Sequence, residues 1–275
     1  MGGRRASLPF RDRERDMKAF IATWLLACSL VLPASSQAQS DIHQPWDSLL
    51  RAYLVEGADG INRFDYRGLR ADDADREALN AYIASLERFP VSTLEPDDAF
   101  AFWANLYNAV TVRLIVDEAP ERSIRQIRPR PWSIGPWGVN RVELEGQALS
   151  LDDIEHGILR ERFEAPLVHY AVNCASIGCP NLKPTAWRGD TLSMDLETAA
   201  RAYINHPRGV RVTGDGLVAS RIYDWFKEDF GGSDAGVIAH LLEYADPDLE
   251  SRIRAQQSIH AYEYDWSLND LEAGR

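Results

Sequence analysis

The stretch from Pro96 to Asp117 has the strongest helical pattern in the chain, and its sequence is PDDAFAFWANLYNAVTVRLIVD. Pro96 suits the first turn of a helix, and the acidic residues after it favour the positive end of the helix dipole. Apolar side chains then cover almost the whole circumference of the predicted helix. A helix that is apolar on all sides is normally central and buried. We therefore predict one core helix around which the rest of the chain packs.

Two amides, Asn105 and Asn108, lie inside this apolar run and are three residues apart, so they share one helix face. A buried amide without hydrogen-bond partners costs about 1–3 kcal/mol. We expect both side chains to bond the backbone of a strand or loop that packs on the helix. A direct role in binding a ligand is the alternative.

The remaining pattern alternates helical and strand-like segments without an internal repeat or linker. Helical spacing indicates further helices near residues 46–54, 73–88, 151–160, 193–205, 220–230, 234–245 and 247–255. Alternation and turn residues indicate strands at 61–66 and from Ile259 onward, and hairpins at 139–149 and 210–219. The fold class predicted is α+β, a single helix-rich domain with a small, mainly antiparallel sheet over residues 39–275.

The N-terminus has the pattern of a signal peptide. Basic residues precede the apolar run Ala19–Pro33, and Ser36-Gln37-Ala38 supplies small residues for cleavage. We predict a signal peptide over residues 1–38, with Met17 as a possible start. The run is too short for a comfortable membrane span. The mature chain should therefore be soluble and periplasmic or secreted, with a lipoprotein at Cys28 as the less favoured alternative.

The net charge of the whole chain is −12, and removal of the basic leader makes it more negative. Such an acidic surface disfavours nucleic acid and anionic lipid headgroups as partners. No phosphate loop, dinucleotide fingerprint, serine-hydrolase elbow or His-Glu-x-x-His motif occurs in the sequence. We predict no cofactor, no metal and no nucleic acid, and a small molecule or an envelope component as partner.

The most reactive stretch runs from His169 to Pro180 and contains Asn173, Cys174 and Cys179 as well. Leu167–Val172 is apolar and β-prone, which predicts a short buried strand that ends in a turn of small residues at Asn173. A thiol at the end of a rigid strand is well placed to act as a nucleophile. Cys174 is therefore a candidate catalytic residue.

A nucleophilic thiol needs a base or a positive field nearby. His169 would lie on the opposite face of the predicted strand from Cys174, so His156 with Glu155 is the more plausible partner. Three alternatives remain for the cysteines. These are a structural Cys174–Cys179 disulfide, a redox-active pair, and a zinc site that also uses His169.

Glu155 and His156 belong to a predicted helix that Ser150 and Asp153 would cap. We predict that this helix turns Glu155 or His156 toward the loop 173–180, where they share one polar pocket with Asn105 or Asn108. Buried polar side chains in one domain tend to satisfy each other, which favours this arrangement even without catalysis. The ordinary alternative for Glu155 is an ion pair with Arg160 or another arginine.

A loop rich in proline and glycine, Pro131–Gly138, carries Trp132 and Trp137. Aromatic side chains in such a loop could line the mouth of a cleft. A loop packed on its own side chains is the alternative that we favour.

Several of these stretches resemble the DUF547 family. They are Phe102–Ala109, Ser150–His156 with Arg160, His169–Pro180, Ser220–Phe230 and Tyr264–Asn269. The similarity extends over about residues 46–269 in the expected order. The resemblance implies one domain in an exported bacterial protein. It implies no mechanism, because the family has no assigned function.

Two functions of different classes follow from the sequence. The first, which we favour, is an exported binding or structural domain of the cell envelope in which Cys174–Cys179 is a rigid clip. The second is a thiol-dependent hydrolase or acyl transferase with Cys174 as nucleophile and His156/Glu155 or His169 as partner.

Overall fold

The computed structural model describes residues 34–163, 166–256 and 258–271. Most of the predicted signal peptide, and Cys28 with it, lies outside these described residues. Within them the chain is a helix-rich α+β domain, which confirms the predicted fold class. The strands form three small separate sheets rather than one.

The N-terminal part forms a helical layer with one short hairpin. Its elements are α1 (Ala34–Tyr53), β1 (Leu54–Glu56), β2 (Asn62–Phe64), α2 (Tyr66–Ala71) and α3 (Asp73–Glu87). Strands β1 and β2 pair antiparallel. Asp72 caps α3 by accepting hydrogen bonds from the backbone of Ala74 and Asp75.

The predicted core helix is confirmed as α4 (Pro96–Glu118). Pro96 is in its first turn, and the left-handed Ala119 ends it by donating its N–H to the carbonyl of Ile115. α4 is long and apolar enough to cross a membrane, but 89% of its most apolar window is buried inside the protein. It is therefore the central helix of a folded domain, around which α2, α3 and the following π-helix pack.

A short hairpin and an unusual helix follow α4. Strands β3 (Val142–Leu144) and β4 (Gln147–Leu149) pair antiparallel. A π-helix then spans Asp153–Arg160 and continues into the single turn α5 (Glu161–Phe163). Ser150 and Asp153 cap it reciprocally, since the Asp153 carboxylate accepts from Ser150 and the Ser150 hydroxyl accepts from the Asp153 N–H. A π-helix is rare and is frequently found at functional sites.

The prediction of a strand at Leu167–Val172 is wrong, because Pro166–Tyr170 forms a 3₁₀ helix. A short apolar run has no periodicity that separates a strand from a buried helical turn. The carbonyl of Ala171, which a strand would offer to a neighbouring strand, instead accepts from the side chains of Asn108 and Trp187. These bonds replace strand pairing.

The C-terminal part packs helices against a three-stranded sheet. Its elements are α6 (Leu192–Ile204), β5 (Val210–Thr213), β6 (Gly216–Ser220), α7 (Ile222–Trp225), a 3₁₀ turn (Lys227–Phe230), α8 (Asp234–Tyr244), α9 (Pro247–Gln256) and β7 (Ile259–Glu263). β6 pairs antiparallel with β5 and parallel with β7. This sheet covers a second apolar cluster, separate from the one around α4.

The last described residues join three distant parts of the chain. Asn269 accepts from the N–H of Phe64 and from the hydroxyl of Tyr66, and it donates its own N–H to Ala175. Leu268 donates its N–H to the carbonyl of Arg122. The C-terminal segment therefore fixes β2 and the loop after Asn173 to one another.

Candidate functional site

A cleft of about 530 Å³ opens between the π-helix, the segment that carries the cysteines, α7 and the residues after β7. Its lining combines polar side chains with aromatic rings. The residues that line it include Tyr107, Arg125, Ile134, Trp137, Asp152, Glu155, His156, His169, Cys174, Cys179, Arg221, Trp225, Phe226, Tyr264 and Trp266. Four of the predicted site residues, Glu155, His156, His169 and Cys174, thus lie around one cavity.

We call residues 173–180 the cysteine loop. Cys174 and Cys179 form a disulfide, as one of the alternatives for this loop predicted. The sulfur atoms are hydrogen-bonded as well as joined. The Tyr264 hydroxyl lies 3.1 Å from each sulfur and 2.8 Å from the Ser176 hydroxyl. Burial raises the pKa of Tyr264 well above its ordinary value, so its hydroxyl stays protonated and can donate to the sulfurs.

His169 is buried and held from two sides. Its Nε2 lies 2.7 Å from the Asp229 carboxylate, and its ring stacks on Phe226 with centroids 4.3 Å apart. Because Pro166–Tyr170 is helical, the argument that separated His169 from Cys174 by strand faces no longer applies. Both residues line the same cleft.

Asp229 also forms a two-pronged ion pair with Arg160, at 2.6 and 2.8 Å. Burial alone would raise the pKa of Asp229, but the hydrogen bonds from His169 and Arg160 outweigh it and hold this pKa well below its ordinary value. Asp229 therefore remains a carboxylate that orients His169. The pairing of Arg160 with Glu155, given as the ordinary alternative, is replaced by this contact.

Glu155 and His156 lie in the first turn of the π-helix and line the cleft. Burial, together with the negative charge of Glu155, raises the pKa of the Tyr107 hydroxyl on α4 well above its ordinary value. Nδ1 of His156 lies 3.4 Å from the Arg160 guanidinium. These side chains line the cavity, whereas Cys174 forms its hydrogen bonds with Cys179, Ser176 and Tyr264.

Asn105, Asn108 and Asn173, which we expected in a shared polar pocket, are not among the residues that line the cleft. Asn108 donates to the carbonyl of Ala171 and accepts from the N–H of Asn173 at 2.9 and 2.8 Å. Asn105 makes the same pair of bonds to the backbone of Trp187. Both amides therefore hold backbone, which is the role that the buried helix face suggested.

Asn173 organises the cysteine loop from within. Its amide donates to the carbonyl of Pro180 at 2.7 Å and accepts from the N–H of Ala175 at 2.9 Å. Gly178 lies so close to the backbone of Asp265 that a Cβ atom would come within 2.9 Å of it. Hydrogen bonds and close packing therefore fix both ends of this loop.

One wall of the cleft consists of aromatic rings. Trp225, Tyr264 and Trp266 lie within 5.4 Å of each other, centroid to centroid, and Trp137 packs on Trp266 at 5.7 Å. The Arg125 guanidinium covers the Trp266 ring at 5.1 Å. The wall thus offers apolar surface edged by positive charge.

The sequence patterns did not indicate Asp229 or most of this aromatic wall as part of a site. Asp229 lies 60 residues from His169, and its stretch was noted only for its resemblance. An aspartate among aromatic residues in the run Ser220–Phe230 was the available signal. Arg125, in contrast, carries no local pattern that sets it apart from other arginines.

A zinc site from Cys174, Cys179 and His169 would require free thiolates, whereas the two sulfurs are bonded to each other. Over the described ranges, no group of three or more His, Cys, Asp or Glu side chains is placed to hold a metal ion. The side chains that line the cleft supply carboxylate, imidazole, guanidinium and phenol groups beside the disulfide.

Residues 91–204 match the model of a family described as a protein of unknown function, DUF547. The match supports the family resemblance and covers α4, the π-helix and the cysteine loop. Asp229 and the rings of Trp225, Tyr264 and Trp266 lie after the matched segment. No curated protein and no solved structure matches the chain.

Proposed function

We propose that this chain is an exported binding domain of the bacterial cell envelope that holds a small amphipathic molecule in its cleft. The observation that carries the proposal is the meeting of Glu155, His156 and His169 with an aromatic wall around one cavity of about 530 Å³. Ligand sites are typically clefts of this size in which apolar walls bind and a few polar groups orient the ligand.

The two kinds of lining residue suit different parts of such a ligand. The rings of Trp225 and Trp266 offer flat apolar surface, on which an aromatic or acyl group would lose its contact with water. Glu155 and the two histidines of the cleft would accept or donate hydrogen bonds to a polar head. Arg125 and Arg221 favour a ligand with negative charge at the rim.

In this function the Cys174–Cys179 disulfide is a clip. It restricts the conformational freedom of the cysteine loop, which hydrogen bonds from Tyr264 and from the Asn173 side chain already hold. A loop that is rigid before binding loses less entropy when the ligand arrives. The disulfide also supports export, because such bonds persist in the periplasm and outside the cell rather than in the cytosol.

Anilinonaphthalene sulfonate, an aromatic anion that fluoresces in apolar surroundings, is a suitable probe of this cleft. Trp225 is 42% exposed, so its replacement by alanine should leave the fold intact. We expect Trp225→Ala to weaken binding of the dye about tenfold, because one ring of the wall is lost. Met194→Ala, at a residue 63% exposed on α6, is the matched control and should bind like the wild type.

Equal dye binding by wild type and Trp225→Ala would contradict the proposal. Native mass spectrometry of the protein purified from its own envelope gives a second measurement. The wild type should retain a small molecule that Trp225→Ala loses and Met194→Ala keeps.

A second function is favoured by one observation, the position of Cys174 in the same cleft as Glu155, His156 and His169. After reduction of the disulfide by a dithiol, Cys174 would be a free thiol among groups able to take its proton. The chain would then be a thiol-dependent hydrolase or acyl transferase. Asp229 would orient His169 in that reaction, as a carboxylate orients histidine in other triads.

The variant Cys179→Ser separates the two functions, because it leaves Cys174 permanently free. If the chain is a thiol-dependent enzyme, Cys179→Ser should hydrolyse thioesters and be alkylated rapidly by iodoacetamide. The double variant Cys174→Ser with Cys179→Ser should do neither. If the chain is a binding domain, Cys179→Ser should hydrolyse no more thioester than the double variant and should still bind the dye.

A further inference from the structure

The loop between α4 and β3 exposes large apolar side chains beside the cleft. We call residues 128–138 the tryptophan loop. Within the described chain, its Trp132 and Ile134 are the two most exposed large hydrophobic side chains, with 78% and 71% of their surface in contact with solvent. Ile134 also lines the mouth of the cleft.

The exposed side chains project from a fixed base. Ile124 and Ile127 before the loop are buried, and Trp137 at its end packs on Trp266. A Cβ atom on Gly135 would collide with the Trp137 ring, so the backbone folds closely over that side chain. Trp132 and Ile134 are therefore held outward by structure, although both are side chains that normally avoid water.

The charge around the loop is opposite to that of the whole protein. Residues 122–140 contain four arginines, at 122, 125, 128 and 130, and no Asp or Glu, whereas the chain has a net charge of −12. Arg122, Arg128 and Arg130 are exposed. None of the ion pairs found among the described residues involves these three arginines. The charges of these three exposed guanidinium groups are therefore available to an external anion.

We propose that the tryptophan loop docks on an anionic phospholipid surface and brings the mouth of the cleft to the membrane. Tryptophan and isoleucine would enter the boundary between headgroups and acyl chains, where an indole ring is particularly favourable. The arginines would lie at the headgroup level and pair with lipid phosphates.

The acidic composition of the whole chain led to the opposite expectation for anionic headgroups. That expectation used the net charge, but screening limits the reach of each charge to about 8 Å in physiological salt. A headgroup at the tryptophan loop would therefore respond to the local arginines rather than to distant carboxylates.

Sedimentation with vesicles tests this directly. The full chain should bind vesicles of phosphatidylcholine mixed with phosphatidylglycerol, and bind pure phosphatidylcholine more weakly. Binding should fall as salt is raised. Trp132→Ser with Ile134→Ser should weaken binding about tenfold, and so should Arg128→Gln with Arg130→Gln.

Two controls match these changes on other surfaces. Met194→Ser removes an exposed apolar side chain from α6, and Arg252→Gln with Arg254→Gln removes two positive charges from α9. Both should bind mixed vesicles as the wild type does. All variants share the same N-terminal segment, so a difference between them belongs to the substituted residues.

Hydrogen exchange on the vesicles gives a second measurement, in which amides of residues 128–138 should become protected. Failure of the wild type to bind mixed vesicles would overturn the proposal and leave a protein partner for the loop. Equal binding by the loop variants and their controls would also overturn it. Arg128 and Arg130 do not line the cleft, so Arg128→Gln with Arg130→Gln can lose lipid binding and keep dye binding, and the two proposals can fail separately.

Discussion

The cysteine loop and the tryptophan loop are both irregular, both contain glycine and proline, and both border the same cleft. They differ in what holds them. The cysteine loop has partners along its length, because Asn108, Asn173, Tyr203 and the C-terminal segment bond its backbone. The tryptophan loop is bonded mainly near its ends and exposes its central side chains. The comparison shows that polar side chains from the core, rather than regular structure, decide which loop belongs to the folded interior.

Replacement of Asn108 should have the largest effect on how firmly the cysteine loop is held. Asn108→Leu leaves the carbonyl of Ala171 with one partner fewer and the N–H of Asn173 with none from α4. We expect it to lower the free energy of unfolding by about 3 kcal/mol, since each buried group left unpaired costs about 1–3 kcal/mol. Chemical denaturation measures the change.

Thr111→Val on the same helix is the matched control. The Thr111 hydroxyl is buried and has no hydrogen-bond partner, so its replacement by a methyl group should leave stability unchanged or raise it. A smaller loss for Asn108→Leu than for Thr111→Val would show that the amide does not hold the cysteine loop.

The second prediction concerns acid. His240 bonds the hydroxyl of Tyr170, which lies just before the cysteine loop, and burial together with the charge of His169 lowers the pKa of His240 to about 4. The unfolded chain binds a proton at this histidine below about pH 6.5, whereas the folded chain does not until about pH 4. Stability is therefore fully present above pH 6.5 and falls as the pH drops through this window.

One such proton corresponds to a slope of about 1.4 kcal/mol per pH unit, and to about 3 kcal/mol over the window. His240→Gln should remove that slope from the dependence of the unfolding free energy on pH. His260→Gln on β7 is the control and should retain the wild-type slope. Identical slopes for His240→Gln and wild type would contradict the assignment.

The third prediction concerns the disulfide itself. Closing so short a loop stabilises the folded state by about 2 kcal/mol on the loop-entropy estimate. The variant Cys174→Ser with Cys179→Ser should lose about this amount and still fold, since the loop keeps its bonds to Asn173 and Tyr203. Denaturation of the variant and of reduced wild type should agree. Loss of the folded state would mean that the side-chain bonds alone cannot hold the loop.

The smallest effect is expected in the tryptophan loop. Trp132→Ser should change the free energy of unfolding by less than about 0.5 kcal/mol, as an exposed side chain away from the core does. Trp187→Ser, at a buried ring, is the contrasting variant. A destabilisation by Trp132→Ser as large as that by Trp187→Ser would remove the distinction between the two loops.

The sequence predicts best where a pattern repeats over many residues. The apolar circumference of α4 and the turn residues of the hairpins at 142–149 and 210–220 place these elements correctly. Leu167–Val172 is too short for periodicity, and its conformation depends on Asn108 and Trp187, which are distant in sequence. Local pattern carries no information on such partners.

The candidate site shows the same limit. Chemistry singled out Cys174, His169, His156 and Glu155, and all four line the cleft. Their hydrogen-bond partners could not be predicted, because Asp229 and Tyr264 reach them from segments 60 and 90 residues away. Residue type indicates which side chains carry reactivity, whereas the fold alone determines what each of them contacts.

The position of residues 264–269 has a consequence for how the protein is made. Tyr264 and Trp266 form part of the cleft, and Asn269 fastens β2 to the cysteine loop. A ribosome adds these residues after all the other lining residues have been made. A nascent chain stopped after α9 would contain α4 and its packing partners, yet its cysteine loop would lack the backbone of residues 265–269. The cleft is therefore completed only once residues 264–269 have been made, and a chain stopped before them lacks part of the site.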